Sequence, residues 1–389
     1  MKDRTLLMIP GPIEVEPAVL AAHAAPPTSH LDPRFLEAFS RALVGLRVLF
    51  GAPDGQPFVL AGTGTLAMDS AASNLVEPGD AVVVVNTGYF GDRFGAIFER
   101  YGAQVEHVRA AVGDRPEAAD LRAALSAAKG PVKLVAITHV DTSTGVLTDV
   151  PGLARVAREH GALVIVDGVC SIAGEALDMS AHEVDLALTA SQKAVGLPPG
   201  LALLMAGPRA MEAFRARRTP PGSYYSDWAH WLPIMEAYEA RRPAYFATPA
   251  VNLVWALDTS LGLILREGMT ARWARHQRVA MACRAGLAAL GLGQVPVRAE
   301  IAANTMSAPR LPAGVSAQDL LPRVAAAGAT LAGGLHASIR REYFRIGHMG
   351  ACGPGDVLAT LGALETGLAA CGYRFERGAG VKAAAGIGE

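Results

Sequence analysis

The sequence predicts an α/β fold, with a mostly parallel sheet covered by helices on both faces and a smaller C-terminal α/β domain. Three observations carry this. Short, almost wholly apolar runs recur at residues 81–85, 132–137, 162–166 and 201–206, the texture of strands buried on both faces of a parallel sheet. Segments of helical spacing separate them, as at residues 33–50, where Phe35, Leu36, Phe39, Leu43, Leu46 and Leu49 share one side. From about residue 267 the texture changes to charged helices bearing Arg272, Arg275, His276 and Arg278, then to short strands such as residues 305–308.

The chain is 389 residues long, which calls for more than one domain or one large domain with an appendage. Hydrophobic residues make up 51%, enough for a substantial core. The formal net charge is −1, with the charges interspersed, so nothing suggests a nucleic-acid or membrane surface. No apolar run reaches the roughly 18 residues of a membrane-spanning helix. Pro10-Gly11-Pro12 cuts the N-terminal apolar segment too short for a signal peptide. Cys170, Cys283, Cys352 and Cys371 show no metal-ligand spacing. They read as reduced thiols of a cytoplasmic protein.

In chain order, residues 1–16 read as an extended arm, because Pro10, Pro12 and Pro17 prevent a helix. A short strand at Phe58-Val59-Leu60 leads into Gly62-Thr63-Gly64-Thr65 and a helix from Leu66 to Val76. Such a turn offers free backbone N–H groups and a positive dipole end to a phosphate. The strand at 81–85 ends in Asn86-Thr87-Gly88-Tyr89-Phe90-Gly91-Asp92-Arg93, and the strand at 132–137 in Thr138-His139-Val140-Asp141-Thr142-Ser143-Thr144-Gly145. A helix over about 151–160 follows. Residues 215–245 carry no clear period and read as an irregular segment. Tyr245-Phe246-Ala247-Thr248-Pro249 then precedes a long amphipathic helix over about 250–266. The tail from Arg377 to Glu389 is rich in Gly and Ala and reads as frayed.

The chemistry centres on two residues. Ala162-Leu163-Val164-Ile165-Val166 ends in Asp167, and 26 residues later the strand after Asp185 leads to Ser191-Gln192-Lys193. A carboxylate ending a buried strand needs a cationic partner. A lysine ending the next strand, in this company, suggests pyridoxal 5'-phosphate (PLP). Lys193 forms the Schiff base, and Asp167 pairs with the protonated pyridine nitrogen.

With these motifs the chain resembles the class V aminotransferases of fold type I, in particular the alanine–glyoxylate and serine–pyruvate group, over nearly its whole length. The resemblance implies a seven-stranded, mostly parallel sheet, with an arm over residues 1–16, a large PLP-binding domain over 17–266 and a small domain over 267–389. It implies that Thr63, Gly64, Thr65 and Gln192 hold the phosphate, that Phe90 (or Tyr89) stacks on the ring, and that Thr142 bonds its phenolic oxygen. Arg345, in Arg345-Ile346-Gly347, matches the arginine that binds the substrate carboxylate. Gly11, in an arm lying across a partner subunit, would face the substrate. Tyr245 and Thr248 would cross to the partner's phosphate, making a homodimer with shared sites. His139 reads as structural, and Arg340 and Arg341 are assigned to the mouth of the site.

The expected activity is transfer of an amino group from alanine or serine to glyoxylate or pyruvate. Three alternatives stand beside it: a pyridoxamine–pyruvate aminotransferase, a ureidoglycine–glyoxylate aminotransferase, and a PLP-dependent lyase or desulfurase. The intact phosphate turn counts against the first. The last would want a nucleophilic cysteine on a mobile loop, and no cysteine lies in an obvious one. A regulator would need a DNA-binding module, for which the sequence leaves no room.

Overall fold

The computed structural model describes residues 5–387. Seven strands form the central sheet. Across it they run Gln56–Gly62, Gly200–Ala206, Leu186–Ala190, Leu163–Asp167, Val132–Thr138, Ala81–Asn86 and Gln104–Arg109. Gly200–Ala206 is antiparallel to both neighbours, and the other pairings are parallel. The parallel register sets Thr138 opposite Asp167 and Asp167 opposite Leu188. The carboxyl ends of these strands therefore open on one edge, where α/β sheets bind ligands.

Composition explains the layers. Val82, Val83, Val84 and Val85 are all buried, and each such side chain contributes roughly 1.5–3 kcal/mol on burial. The helix Pro33–Phe50 packs its Phe and Leu face inward. Asp32 caps it by accepting from the Arg34 N–H at 2.8 Å. It ends at Gly51 with φ +62°, where a Cβ would stand 2.6 Å from the Asp178 carboxyl carbon, so only glycine suits that stop.

A second apolar cluster gathers Val279, Cys283, Leu287, Leu320, Phe344, Ile346, Leu361 and Leu364 from the C-terminal part of the chain. Met8 belongs to this cluster. Leu6–Leu7 pairs in parallel with Ala329–Thr330 of the same chain. The start of the described arm is thereby tied to the C-terminal part of its own chain. All four cysteines are free. No helix among the described residues is long and apolar enough to cross a membrane.

Two expectations fail here. Residues 215–245 are not irregular throughout, because Trp228–Glu239 is a helix. Trp228, Trp231, Met235 and Tyr238 fill its buried face and the Asp227 side chain caps it. Pro233 inside the helix masks that period in the sequence. The tail is not frayed either: Ala379–Ala385 is helical with Gly380 and Ala384 buried. Glu365 anchors its start, accepting from the N–H groups of Gly378 and Gly380 at 2.6 and 3.0 Å.

Three buried imidazoles couple the fold to pH. Burial pushes His139, His276 and His348 down to about 3. The unfolded chain protonates them near 6.5, so their contribution is complete above that pH and is lost as pH falls toward 3. Burial also pushes Glu175 up to about 7 and Asp185 up to about 6. These acids act with the opposite sign, favouring the fold below about pH 4 and losing that contribution as pH rises through 6 to 7. Replacing His276 by Asn isolates one imidazole. Its unfolding free energy from urea titration is expected to fall less than the wild type's between pH 7 and 5.5, by ~1 kcal/mol. Parallel pH curves for the two proteins would contradict a neutral, buried His276.

Candidate active site

The site is built where the sheet's carboxyl ends meet the C-terminal region. Lys193 sits on the turn after strand Leu186–Ala190 and is buried. Its Nζ donates to the Pro10 carbonyl. A Cβ on Gly11, at φ +110°, would lie 2.7 Å from that Nζ. The arm therefore meets the amine at a residue where no side chain fits. Burial lowers the pKa of Lys193; Cys170 and Asp167 oppose this, and Arg345 adds to it. A lowered pKa leaves the amine able to act as a nucleophile.

Asp167 ends its strand fully buried, and its carboxyl is pushed up to about 7 by burial. The Val169 N–H at 3.0 Å opposes that rise, as do the more distant Lys193 and Arg93, while Asp141 adds to it. Burial thus disfavours its charged form. A cation placed against it would restore the carboxylate.

Arg345 reaches the same space from strand Phe344–Gly347. Its Nε donates to the Gly333 carbonyl at 2.8 Å and its Nη1 to the Thr142 carbonyl at 3.1 Å. Burial lowers its pKa. Among the described residues it forms no ion pair with a carboxylate, so a desolvated guanidinium is held with donors to spare. Thr142 is buried beside it.

The phosphate turn is present. Thr63 precedes helix Gly64–Leu75, and no side chain caps that helix. A Cβ on Gly64 would stand 2.8 Å from Val169 Cγ2, so glycine lets the Asp167 loop approach the turn. Thr63 and Thr65 are exposed. Gln192 holds a buried Oε1 with no partner. Phe90 lies in the first turn of helix Tyr89–Arg100, half-buried. An anionic group with an aromatic ring carrying a cationic nitrogen fits these parts: an uncapped helix start, a carboxyl lacking its cation and a buried amine.

Tyr245 and Thr248 are not brought to this site. Both are exposed, Tyr245 at 64%. Arg340 and Arg341 line a separate cleft of ≈ 440 Å³ with Ser316, Gln318 and Gly334. His139 is buried with its Nδ1 unpartnered, and its backbone N–H donates to the Asp167 carbonyl.

Sequence reasoning missed four residues. Buried Asp141 accepts from the Phe90 N–H at 3.0 Å, the Gly91 N–H at 3.3 Å and the Ser143 hydroxyl at 2.6 Å. It fixes the loop bearing Thr142 to the helix bearing Phe90. The Arg93 guanidinium lies 4.9 Å from the Phe90 ring centre and donates to Thr65 Oγ1 at 2.8 Å. Tyr343 accepts from the N–H groups of Leu335 and His336 and donates to the Ser143 carbonyl. Cys170 is buried on the loop after Asp167. Asp141 and Arg93 stand inside motifs already singled out, which is the signal that could have found them.

Fold and site together define a PLP-dependent enzyme of fold type I. A family model described as Aminotransferase class-V matches residues 19–350. Alanine–glyoxylate aminotransferase 1 of Saccharomyces cerevisiae is 38% identical over 367 residues, which cover 90% of this chain and 93% of that protein. Among solved structures, pyridoxamine–pyruvate aminotransferase of Mesorhizobium loti superposes with a TM-score of 0.92 at 28% identity, covering 99% and 97% of the two chains. Ureidoglycine–glyoxylate aminotransferase of Bacillus subtilis gives 0.91 at 27% identity, covering 100% and 98%. The chain belongs to the class V aminotransferase family. It is a PLP-dependent aminotransferase.

Proposed function

We propose that this enzyme transfers the amino group of a small monocarboxylic amino acid, alanine or serine, to glyoxylate or pyruvate. One observation carries the substrate class: Arg345 is a half-buried guanidinium that forms no ion pair with a carboxylate among the described residues. An incoming α-carboxylate completes it.

In this reading Lys193 holds the cofactor covalently and Asp167 faces the ring nitrogen. Thr63, Gly64, Thr65 and Gln192 take the phosphate, Phe90 stacks on the ring and Thr142 bonds its phenolic oxygen. Gly11 leaves room above the amine. PLP, when bound, supplies a conjugated ring that accepts the electron pair of the substrate's Cα–H bond. Arg345 orients that bond by fixing the carboxylate. Lys193 Nζ would be the base that takes the Cα proton and carries it across the site. Burial of Lys193 and Asp167 keeps water from competing for that proton.

We further infer a cytoplasmic homodimer whose partners share active sites. Val44 and Val48 are exposed on the outer face of helix Pro33–Phe50, and Leu20, Leu31 and Tyr245 are exposed too, as on surfaces awaiting a partner. The division at residues 16 and 266 remains our reading of the domains; the chain bends at Gly268, φ +82°. Mixing Lys193→Ala and Tyr245→Ala subunits tests the shared site. Each variant alone is expected to be nearly inactive. The mixed dimer regains one intact site, up to about half of wild-type activity per site, if Tyr245 serves across the interface. No recovery would place Tyr245 in its own subunit's chemistry, and a Tyr245→Ala variant active by itself would remove it from the chemistry.

Pyridoxamine or ureidoglycine as donor is the second reading, supported by the two superposed structures. A desulfurase reading finds no support in Cys170, because burial raises its thiol pKa and favours the neutral, unreactive form. The deciding experiment is a half-reaction screen. Purified enzyme is expected to be yellow and to bleach with alanine or serine. Bleaching by pyridoxamine or ureidoglycine with none by either amino acid would overturn the donor assignment.

A further inference from the structure

The start of helix Met269–Ala289 reaches under the active site. Arg272, 6% exposed, donates from Nε to the Ala173 carbonyl at 2.8 Å and from Nη2 to the Ala194 carbonyl at 2.7 Å. Its Nη1 meets Glu267 Oε2 at 2.8 Å. Ala194 follows Lys193 directly. Ala173 closes the turn that follows Asp167, and it does so at φ +71°, a conformation alanine seldom adopts unless its surroundings impose it.

One planar guanidinium thus spans the two loops that carry the proposed catalytic pair. Its donors lie in a fixed fork, so the two carbonyls are held at a set separation and angle. The next turn of the helix extends the grip to a third loop. Arg275 donates to the carbonyls of Gly350 and Cys352, each at 3.0 Å. His276 Nδ1 bonds the Arg272 carbonyl and its Nε2 accepts from the Gly350 N–H. That loop follows the strand bearing Arg345. Three loops that would otherwise move independently share one support.

We propose that Arg272 is a positioning residue that sets Lys193 against Asp167, with Glu267 holding the guanidinium in its plane. This rests on the assignment of Lys193 as the cofactor-bearing lysine. A lysine at 272 keeps the charge but cannot reach both carbonyls. A shift of about 1 Å in a reacting group costs on the order of 100-fold in rate, and that is the loss expected in kcat.

The test compares wild type, Arg272→Lys and Arg272→Met, each loaded with PLP. Three quantities are measured: kcat and KM for the amino donor, the pH midpoint of the visible band of lysine-bound cofactor, and the melting temperature. The expected result is a kcat loss of about 100-fold with KM little changed, a shifted pH midpoint in both variants, and a melting temperature largely recovered in Arg272→Lys. A residue that only stabilises the fold would lower the melting temperature alone. Unchanged kcat and midpoint in either variant overturns the proposal. Should Arg272→Met fail to fold, Arg272→Lys decides by the same two readouts. A wild-type protein without the lysine-bound band would instead refute the Lys193 assignment, before any variant is compared.

Discussion

Replacing Lys193 by alanine is expected to abolish steady-state transamination while leaving a folded protein that still takes up PLP. The helix start at Gly64, the Gln192 amide and the Asp167 carboxyl remain to hold the ring and phosphate. The group that carries the proton is gone. General acid–base groups contribute roughly 10²–10⁴-fold, and loss of the covalent anchor adds to that, so turnover should drop by at least about 10⁴-fold. The substrate amine should also remain bound to the cofactor for longer than in the wild type, visible as a persistent absorbance change. Turnover within tenfold of wild type would remove Lys193 from the chemistry. Added methylamine is expected to restore part of the rate, because a free amine can enter the space the side chain leaves.

The Arg345→Met variant is expected to lose the substrate rather than the cofactor. The methionine fills much of the same volume but donates to neither the Gly333 carbonyl, the Thr142 carbonyl nor an incoming carboxylate. Removing one partner of a buried, hydrogen-bonded charge pair costs about 2–4 kcal/mol, or roughly 30- to 1000-fold. That loss should fall on kcat/KM for the amino acid. PLP affinity should change little, since no proposed phosphate contact involves position 345. A donor amine without a carboxylate provides the control: its slow reaction should be nearly indifferent to the substitution. Equal losses for both donors would mean that Arg345 supports the loop bearing Thr142 and does not bind substrate.

The sequence made the proposed catalytic pair legible for a physical reason. Apolar runs buried in a parallel sheet are hard to mistake, and a single Asp or Lys at the end of such a run is conspicuous because burial makes it costly. Strand ends at Asp167 and Ala190 therefore pointed to the right edge of the sheet. The Gly62-to-Thr65 turn was legible as a helix start, since glycine and threonine are common there as plain caps, and only its match to the family's motif pointed to a phosphate. What escaped was whatever depends on long-range contact. Asp141 binds the backbone of Phe90 and Gly91 some 50 residues away in sequence, and no local pattern announces that. Arg272 bonds carbonyls 78 and 99 residues earlier, and carbonyls leave no signature in a sequence. Helix Trp228–Glu239 was hidden by Pro233, a residue that ordinarily ends a helix. The C-terminal helix was hidden by its small residues, which pack closely around Glu365 and give no amphipathic stripe.

Identification of the lysine that carries the cofactor is the most direct check on this account. Purified enzyme loaded with PLP is reduced with borohydride, digested, and the modified peptide sequenced by mass spectrometry. The account predicts a phosphopyridoxyl group on Lys193 alone, in the peptide containing Ser191 and Gln192. Stable modification at Lys129, Lys133 or Lys382 with Lys193 unmodified, or no modification of a yellow, active enzyme, would contradict it.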